Sequence, residues 1–169
     1  DKRILNEILT SLGFLQSEIE TVCISLDKLD KIGADGIANE LNCKINNSSA
    51  ITKLLTVLSD GGVKLNELEN LCNNKESIER LKLIINSINK LAENNYLVVY
   101  DFSLVRGQGY YTGTVFEIES PEFNCSIAGG GRYDNMIKKF TGESTPAVGF
   151  SIGFERICSI LLDKEINIP

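Results

Sequence analysis

Three short stretches hold residue types that could do chemistry. The first is "LVRGQGYYTGTVFEIE", Leu104 to Glu119, in which Arg106 precedes adjacent Tyr110 and Tyr111 among Gly107, Gly109 and Gly113. A guanidinium grips a phosphate or carboxylate through two parallel bonds, a geometry lysine cannot copy. Adjacent tyrosines on an extended chain point to opposite faces, so one packs while the other lines a pocket. Alone, the pattern fits a loop arginine beside ordinary sheet tyrosines better than it fits a site. The second stretch is "AGGGRYD", Ala128 to Asp134. Gly129, Gly130 and Gly131 at a strand end allow a tight turn or close approach of a ligand to bare backbone. Neither a phosphate loop ending in Lys-Ser/Thr nor a GxGxxG pattern is present. The plain alternative is a sharp turn with Arg132 and Asp134 solvated. The third is "TPAVGFSIGFERI", a small-residue strand running through Gly153 into a helix with Arg156 in its first turn. That turn favours acids because of the helix dipole. An arginine there, beside Glu155, suggests an anion or an aromatic base to meet; the alternative is a surface ion pair.

Composition narrows the chemistry. There is no histidine among the 169 residues, which excludes a Ser-His or Cys-His nucleophile and a histidine base within this chain. Cys23, Cys43, Cys72, Cys125 and Cys158 are dispersed, odd in number and without a CxxC pair. No metal site is expected, and a reducing cytoplasmic setting fits. The net charge of −6 argues against nucleic-acid binding through a broad basic surface. A hydrophobic fraction of 43% is that of a globular protein. No apolar run approaches the ~20 residues that span a bilayer, and no signal-like segment follows Asp1. With no Met at position 1 and helical periodicity from Lys2, the chain is expected to be a segment of a longer protein.

The elements that must position these residues fall into two parts. Residues 1–95 read as helices. Ile4, Leu5, Ile8, Leu9 and Leu12 form one stripe, ended by Gly13. Ser17 and Glu20 suggest a capping box before the stripe Ile19, Val22, Cys23, Leu26 and Leu29, which Gly33 stops. A short helix is expected from Asp35 to Leu41. Another follows "NNSS" and ends at Gly61-Gly62, and a short one covers about Asn66–Cys72. The longest, Lys75 to Ala92, carries Ile78, Leu81, Ile84, Ile85, Ile88 and Leu91 as a core stripe, with Glu76 and Arg80 paired on its solvent side. From Leu97 the period changes. Strands are expected at Leu97–Phe102, Thr112–Glu119 and about Phe123–Ala128. "YDNMIKKF" reads as a short helix, "AVGFSIG" as a buried strand, and Phe154–Leu162 as a helix. Sequential strands with short connections favour an antiparallel sheet, with a crossover possible between Ala128 and Ala147. The fold class is α+β.

The order and company of the three motifs are more specific than any one of them. Together they resemble the C-terminal half of the catalytic core of histidyl-tRNA synthetases, which are class II aminoacyl-tRNA synthetases. "TPAVGFSIGFERI" looks like class II motif 3, and "RGQGYYTGTVFE" and "GGGRYD" resemble the two histidine-specific motifs. "LDKLDKIGADGIANEL" looks like the helical insertion domain of that family. The resemblance implies residues 1–95 as that insertion and 96–169 as part of a class II antiparallel sheet flanked by helices. It implies ligation of histidine to its tRNA through an ATP-derived adenylate, with Mg2+ accompanying ATP, and a cytoplasmic homodimer with no membrane partner. Residue by residue, Arg106 would be the catalytic arginine on the α-phosphate and histidine carboxylate. Tyr110, Tyr111, Tyr133, Gly129 and Gly130 would bind histidine, with Tyr111 and Tyr133 lining the imidazole pocket. Gly153 would leave room for adenine and ribose, and Arg156 would meet the γ-phosphate. The family's usual Leu-Asp between the first "RG" and "YY" is replaced by Gln108-Gly109. Motifs 1 and 2 and an anticodon-binding domain have no counterpart in these residues, so the chain alone is not expected to form adenylate. A synthetase-like regulatory subunit of ATP phosphoribosyltransferase is the alternative; such proteins tend to lose the arginines retained here as Arg106 and Arg156.

Overall fold

The structure is a computed structural model, and it describes residues 1–93, 95–106, 110–121 and 126–164. The chain divides into two compact units, Asp1–Gln108 and Gly109–Pro169. The expected boundary near 95 and this one differ by a segment whose side chains Tyr100, Phe102 and Val105 pack on the helical core.

The first unit contains helices α1 (Lys2–Leu12), α2 (Ile19–Leu26), α3 (Leu29–Lys44), α4 (Ser48–Ser59), α5 (Leu68–Leu71) and α6 (Lys75–Ala92). Their inward stripes make one core of Ile4, Ile8, Leu9, Leu26, Ile37 and Leu54 among others, each essentially inaccessible. Each such side chain contributes about 1.5–3 kcal/mol of transfer free energy. The ends are largely those the residues dictate. Gly13 closes α1 in the left-handed region (φ 103°). Asn47 caps α4 and Asn74 caps α6 through their side-chain oxygens. Gly33 breaks the helical path at φ 66°, ψ 179°, so α3 is two helices joined at a kink.

Three expectations need correction. The capping box before α2 does not form; Glu18 stands at the N-cap, without a capping side-chain bond. Its carboxylate instead accepts from the Leu15 N–H (2.8 Å) and the Asn47 side-chain amide (3.0 Å), so a tertiary contact outcompetes the local one. The stripe of α6 is core only in part. Ile78 and Leu81 are buried, but Ile88 and Leu91 are exposed, because an 18-residue helix outruns the 11-residue α1 it packs against. Leu97–Phe102 is not a strand. Exposure does alternate there, from Leu97 and Val99 outward to Phe102 inward, but no hydrogen-bonded neighbour exists among the described residues. Strand-forming composition produces a strand only where a ladder partner is present.

The second unit is a three-stranded antiparallel sheet in the order β1 (Val115–Glu119), β2 (Ser126–Arg132), β3 (Val148–Ile152). Helix α7 (Asp134–Thr141) joins β2 to β3, which are direct neighbours, so there is no crossover. Helix α8 (Phe154–Asp163) leaves β3 through Gly153. Of the third expected strand, 122–125 lie outside the described residues, and the observed one extends further, to Arg132. β3 is not buried as expected: Val148, Phe150 and Ile152 are all exposed. Its apolar alternation predicts a covered face only where another layer supplies the cover.

Two outcomes follow for the helical unit. Glu40 accepts from Lys28 Nζ (2.7 and 2.9 Å), Lys44 Nζ (2.6 Å) and Ser25 Oγ (3.1 Å). The Lys28 bond first, then the Lys44 bond, holds its carboxyl down at about 2. A depressed carboxylate stabilises the fold fully above its unfolded pKa and loses that stabilisation as pH falls toward its folded one. The melting temperature should therefore fall between about pH 4.5 and pH 2, and Glu40→Gln should flatten that part of the profile in calorimetry. Gly62 sits at φ 80°, and a Cβ there would lie 2.7 Å from Cδ1 and Cε1 of Phe102. Gly62→Ala should cost about 1–3 kcal/mol in urea unfolding, more than Gly61→Ala, whose Cβ would meet nothing within 4 Å.

Candidate functional site

The site in the second unit is built from sheet register. Val115, Gly131 and Gly149 lie in one cross-strand row, and Glu117, Gly129 and Ser151 form the next row. Residues two apart on a strand share a face, so these two rows form one side of the sheet. Two aromatic rings lie on it. A Cβ at Gly131 would sit 2.9 Å from Cδ1 and Cε1 of Tyr111, and a Cβ at Gly149 would run into the Tyr133 hydroxyl. The two tyrosines enter at one corner of the sheet, Tyr111 ahead of the start of β1 and Tyr133 just after the end of β2, and settle over a single pair of glycines.

Backbone bonds hold them there. Thr112 N–H donates to the Arg132 carbonyl (2.7 Å) and Arg132 N–H to the Thr114 carbonyl (2.9 Å), continuing the β1–β2 ladder back to the residue after Tyr111. Tyr133 N–H donates to the Ala147 carbonyl (2.9 Å). Asp134 secures the same corner. It accepts from Arg132 Nε (3.0 and 2.8 Å) and from Ala147 N–H (3.0 Å), while its own N–H donates to Thr112 Oγ1 (3.1 Å). Arg132 and Asp134 are thus a half-buried clamp, not the solvated pair of the plain reading. The R-x-D spacing across a strand end was the available signal, and it could be weighed only once Ala147 and Thr112 were known to lie beside it.

The remaining candidates are placed as follows. Tyr110 and Tyr111 do not point to opposite faces. Their ring centroids are 4.2 Å apart at 39°, with Tyr111 buried (8% exposed) and Tyr110 open (39%), because the chain turns there instead of running extended. Gly129 shares the tyrosine face. Gly130 is in register with Phe116 and Phe150 on the reverse face, and its Cβ would strike the Gly149 carbonyl. Gly153 N–H donates to the Ile127 carbonyl (2.7 Å). Arg156, in the first turn of α8, packs its stem on Gly153 and donates through Nη1 to the Ser126 carbonyl. One donor is so used, and a guanidinium has five. Arg106, at the end of the first unit, is half-buried and has an interaction partner. Gly107, Gln108 and Gly109 lie outside the described residues. Among the described residues no group of three Cys, Asp or Glu side chains gathers as a metal site.

An antiparallel sheet with a glycine-floored, tyrosine-lined face, feeding a helix through Gly153, fits part of a class II aminoacyl-tRNA synthetase fold, the class that comparison with known proteins supports. The family model described as histidyl-tRNA synthetase matches residues 1–157. The chain is 40% identical to the histidine–tRNA ligase of Leifsonia xyli over 95% of its own length and 39% of that protein. It is 36% identical to the chloroplastic/mitochondrial histidine–tRNA ligase of Arabidopsis thaliana over 98% of its length and 34% of that protein. The crystal structure of histidyl-tRNA synthetase from Nostoc sp. PCC 7120 superposes with a TM-score of 0.79 at 27% identity, covering 99% of this chain and 42% of that one. The chain belongs to the histidyl-tRNA synthetase family. It spans about two fifths of the length of the curated relatives it matches.

If the glycine pair exists to seat the rings, a methyl at position 149 must expel the Tyr133 phenol. Gly149→Ala should change the near-ultraviolet circular dichroism of the tyrosines while leaving the far-ultraviolet spectrum intact.

Proposed function

We propose that this chain carries the helical insertion, near 1–95, and the C-terminal part of the catalytic core of a histidine–tRNA ligase. The observation that supports this most directly is the pair of phenols, Tyr111 and Tyr133, lying over Gly131 and Gly149 on one face. A neutral imidazole has one donor and one acceptor nitrogen, and phenolic hydroxyls can read both. Histidine would be recognised there, with Tyr110 at the rim and Gly129 as floor. Gly130 would shape the floor from behind, since only glycine tolerates its contact with the backbone of β3.

In this reading the histidine carboxylate attacks the α-phosphate of ATP, pyrophosphate leaves, and the aminoacyl group then passes to the 3′ end of tRNA. Arg106 is the catalytic residue. Charge builds on the phosphate oxygens during in-line attack, and a preorganised guanidinium stabilises it. Gly153 gives the adenine and ribose room, and Arg156 meets the γ-phosphate with the donors that Ser126 leaves free. Mg2+ enters with the phosphates, which along with water supply most ligands of such an ion. The working protein is a cytoplasmic homodimer. Both arginines and the ligase names of the curated relatives favour the enzyme over the regulatory subunit. One solved structure, at 21% identity, is titled as either, and at that distance it supports the fold alone.

The test is histidine-dependent ATP–pyrophosphate exchange by the protein expressed from its natural gene. Arg106→Lys should lower kcat about 100-fold or more, and Tyr111→Phe should raise KM for histidine about tenfold with less effect on ATP. Residues 1–169 alone should show no turnover. Exchange driven by a different amino acid, or none by the natural product, would overturn the assignment.

A further inference from the structure

Tyr111 and Tyr133 lie on separate stretches of chain, and side chains at their shared corner tie those stretches together. Asp134 follows Tyr133 directly. Its N–H donates to Oγ1 of Thr112 (3.1 Å), the residue after Tyr111. Oδ1 of its carboxylate accepts from the Ala147 N–H (3.0 Å), two residues before the Gly149 against which the Tyr133 ring lies. Both carboxylate oxygens also accept from Arg132 Nε, at 3.0 and 2.8 Å. Thr112 Oγ1 in turn donates to the Arg132 carbonyl (3.4 Å), so a single hydroxyl serves as acceptor and donor. Asp134 opens α7, where an acid would ordinarily serve the helix dipole. Its carboxylate turns back instead to Ala147, 13 residues along the chain. The backbone ladder already fixes strand register. These side-chain bonds add a constraint between the residues that flank the two rings.

We infer that Thr112 and Asp134 are positioning residues for histidine, holding the phenols of Tyr111 and Tyr133 at one fixed separation. The inference rests on the reading proposed above, in which both hydroxyls meet one imidazole. An imidazole is rigid, so its donor and acceptor nitrogens stand at a set spacing. Two phenols that shift independently can align with one nitrogen and miss the other, and a hydrogen bond weakens steeply once misaligned. Recognition of this kind depends on side chains locked by supporting hydrogen bonds. Thr112 and Asp134 act here through the tyrosines rather than on the substrate. Thr112→Val keeps the shape of the side chain but deprives the Asp134 N–H of its acceptor. Asp134→Asn puts an amide N–H2 where a carboxylate oxygen now faces a donor.

The experiment is histidine-dependent pyrophosphate exchange by the protein expressed from its natural gene. Thr112→Val and Asp134→Asn should each raise KM for histidine about tenfold, the worth of one hydrogen bond, with KM for ATP and kcat at saturating histidine unchanged. Thr112→Ser, which keeps the hydroxyl, should restore the wild-type KM. In a Tyr111→Phe background Thr112→Val should cost well short of that factor, because a hydroxyl it helps to place is gone. A lower kcat or melting temperature with KM for histidine unchanged would make both residues merely structural and overturn the inference. Equal rises in KM for histidine and ATP would overturn it too. So would a Thr112→Ser protein as impaired as Thr112→Val, or an undiminished cost of Thr112→Val in the Tyr111→Phe background. Should one of the two variants fail to fold, the other decides by the same split of KM against kcat. Absence of histidine-dependent exchange in the wild type would instead bring down the proposed function, and this inference with it.

Discussion

Two aromatic rings occupy the space where side chains of β2 and β3 would stand. That contact requires glycine at both Gly131 and Gly149, which are cross-strand partners, so a single row of the sheet must be bare. Any Cβ on it would push a ring away from the backbone. The arrangement sacrifices strand stability, since glycine in a strand loses packing and gains unfolded-state entropy. What it gains is a flat floor with two phenols fixed above it. Rings pressed on backbone lose rotamer freedom before any ligand arrives, which lowers the cost of ordering them at binding.

The rest of the second unit reads as support for that row. The Arg132–Asp134 clamp, the Thr112 ladder bonds and the Tyr133–Ala147 bond converge on the corner where both tyrosines enter. The helical unit is stabilised differently. Its core is a continuous set of aliphatic side chains, and its buried thiols Cys23 and Cys72 are pushed up to about 11, chiefly by burial. These cysteines are packing residues there, not nucleophiles, as the thiolate is the reactive form.

How much of this could be read from the letters depended on range. Helix α6 spans Lys75 to Ala92 as its periodicity indicates, because a stripe is local. The strand–Gly153–helix passage and the helix after "RYD" were equally legible. The failures are all non-local. Glu18 finds Asn47 across the bundle, and Leu97–Phe102 lacks a ladder neighbour. The α6 stripe outlasts its partner helix, and β3 is apolar without being covered. In the site, the glycines, tyrosines and arginines could be named, but register alone sorts Gly129 and Gly131 from Gly130. The tilted ring contact of Tyr110 with Tyr111 depends on a turn that their spacing does not announce.

The two faces of the sheet separate two kinds of mutational consequence along a single strand. Positions 115, 117, 129, 131, 149 and 151 share the side on which the rings of Tyr111 and Tyr133 lie, while 116, 118, 148, 150 and 152 share the other. Neighbouring codons should therefore answer to different selective pressures. Changes on the first set would be visible as displaced tyrosine rings in a protein that still folds. Changes on the second would be silent in chemistry and visible in solubility, so tolerance to substitution should oscillate with a period of two.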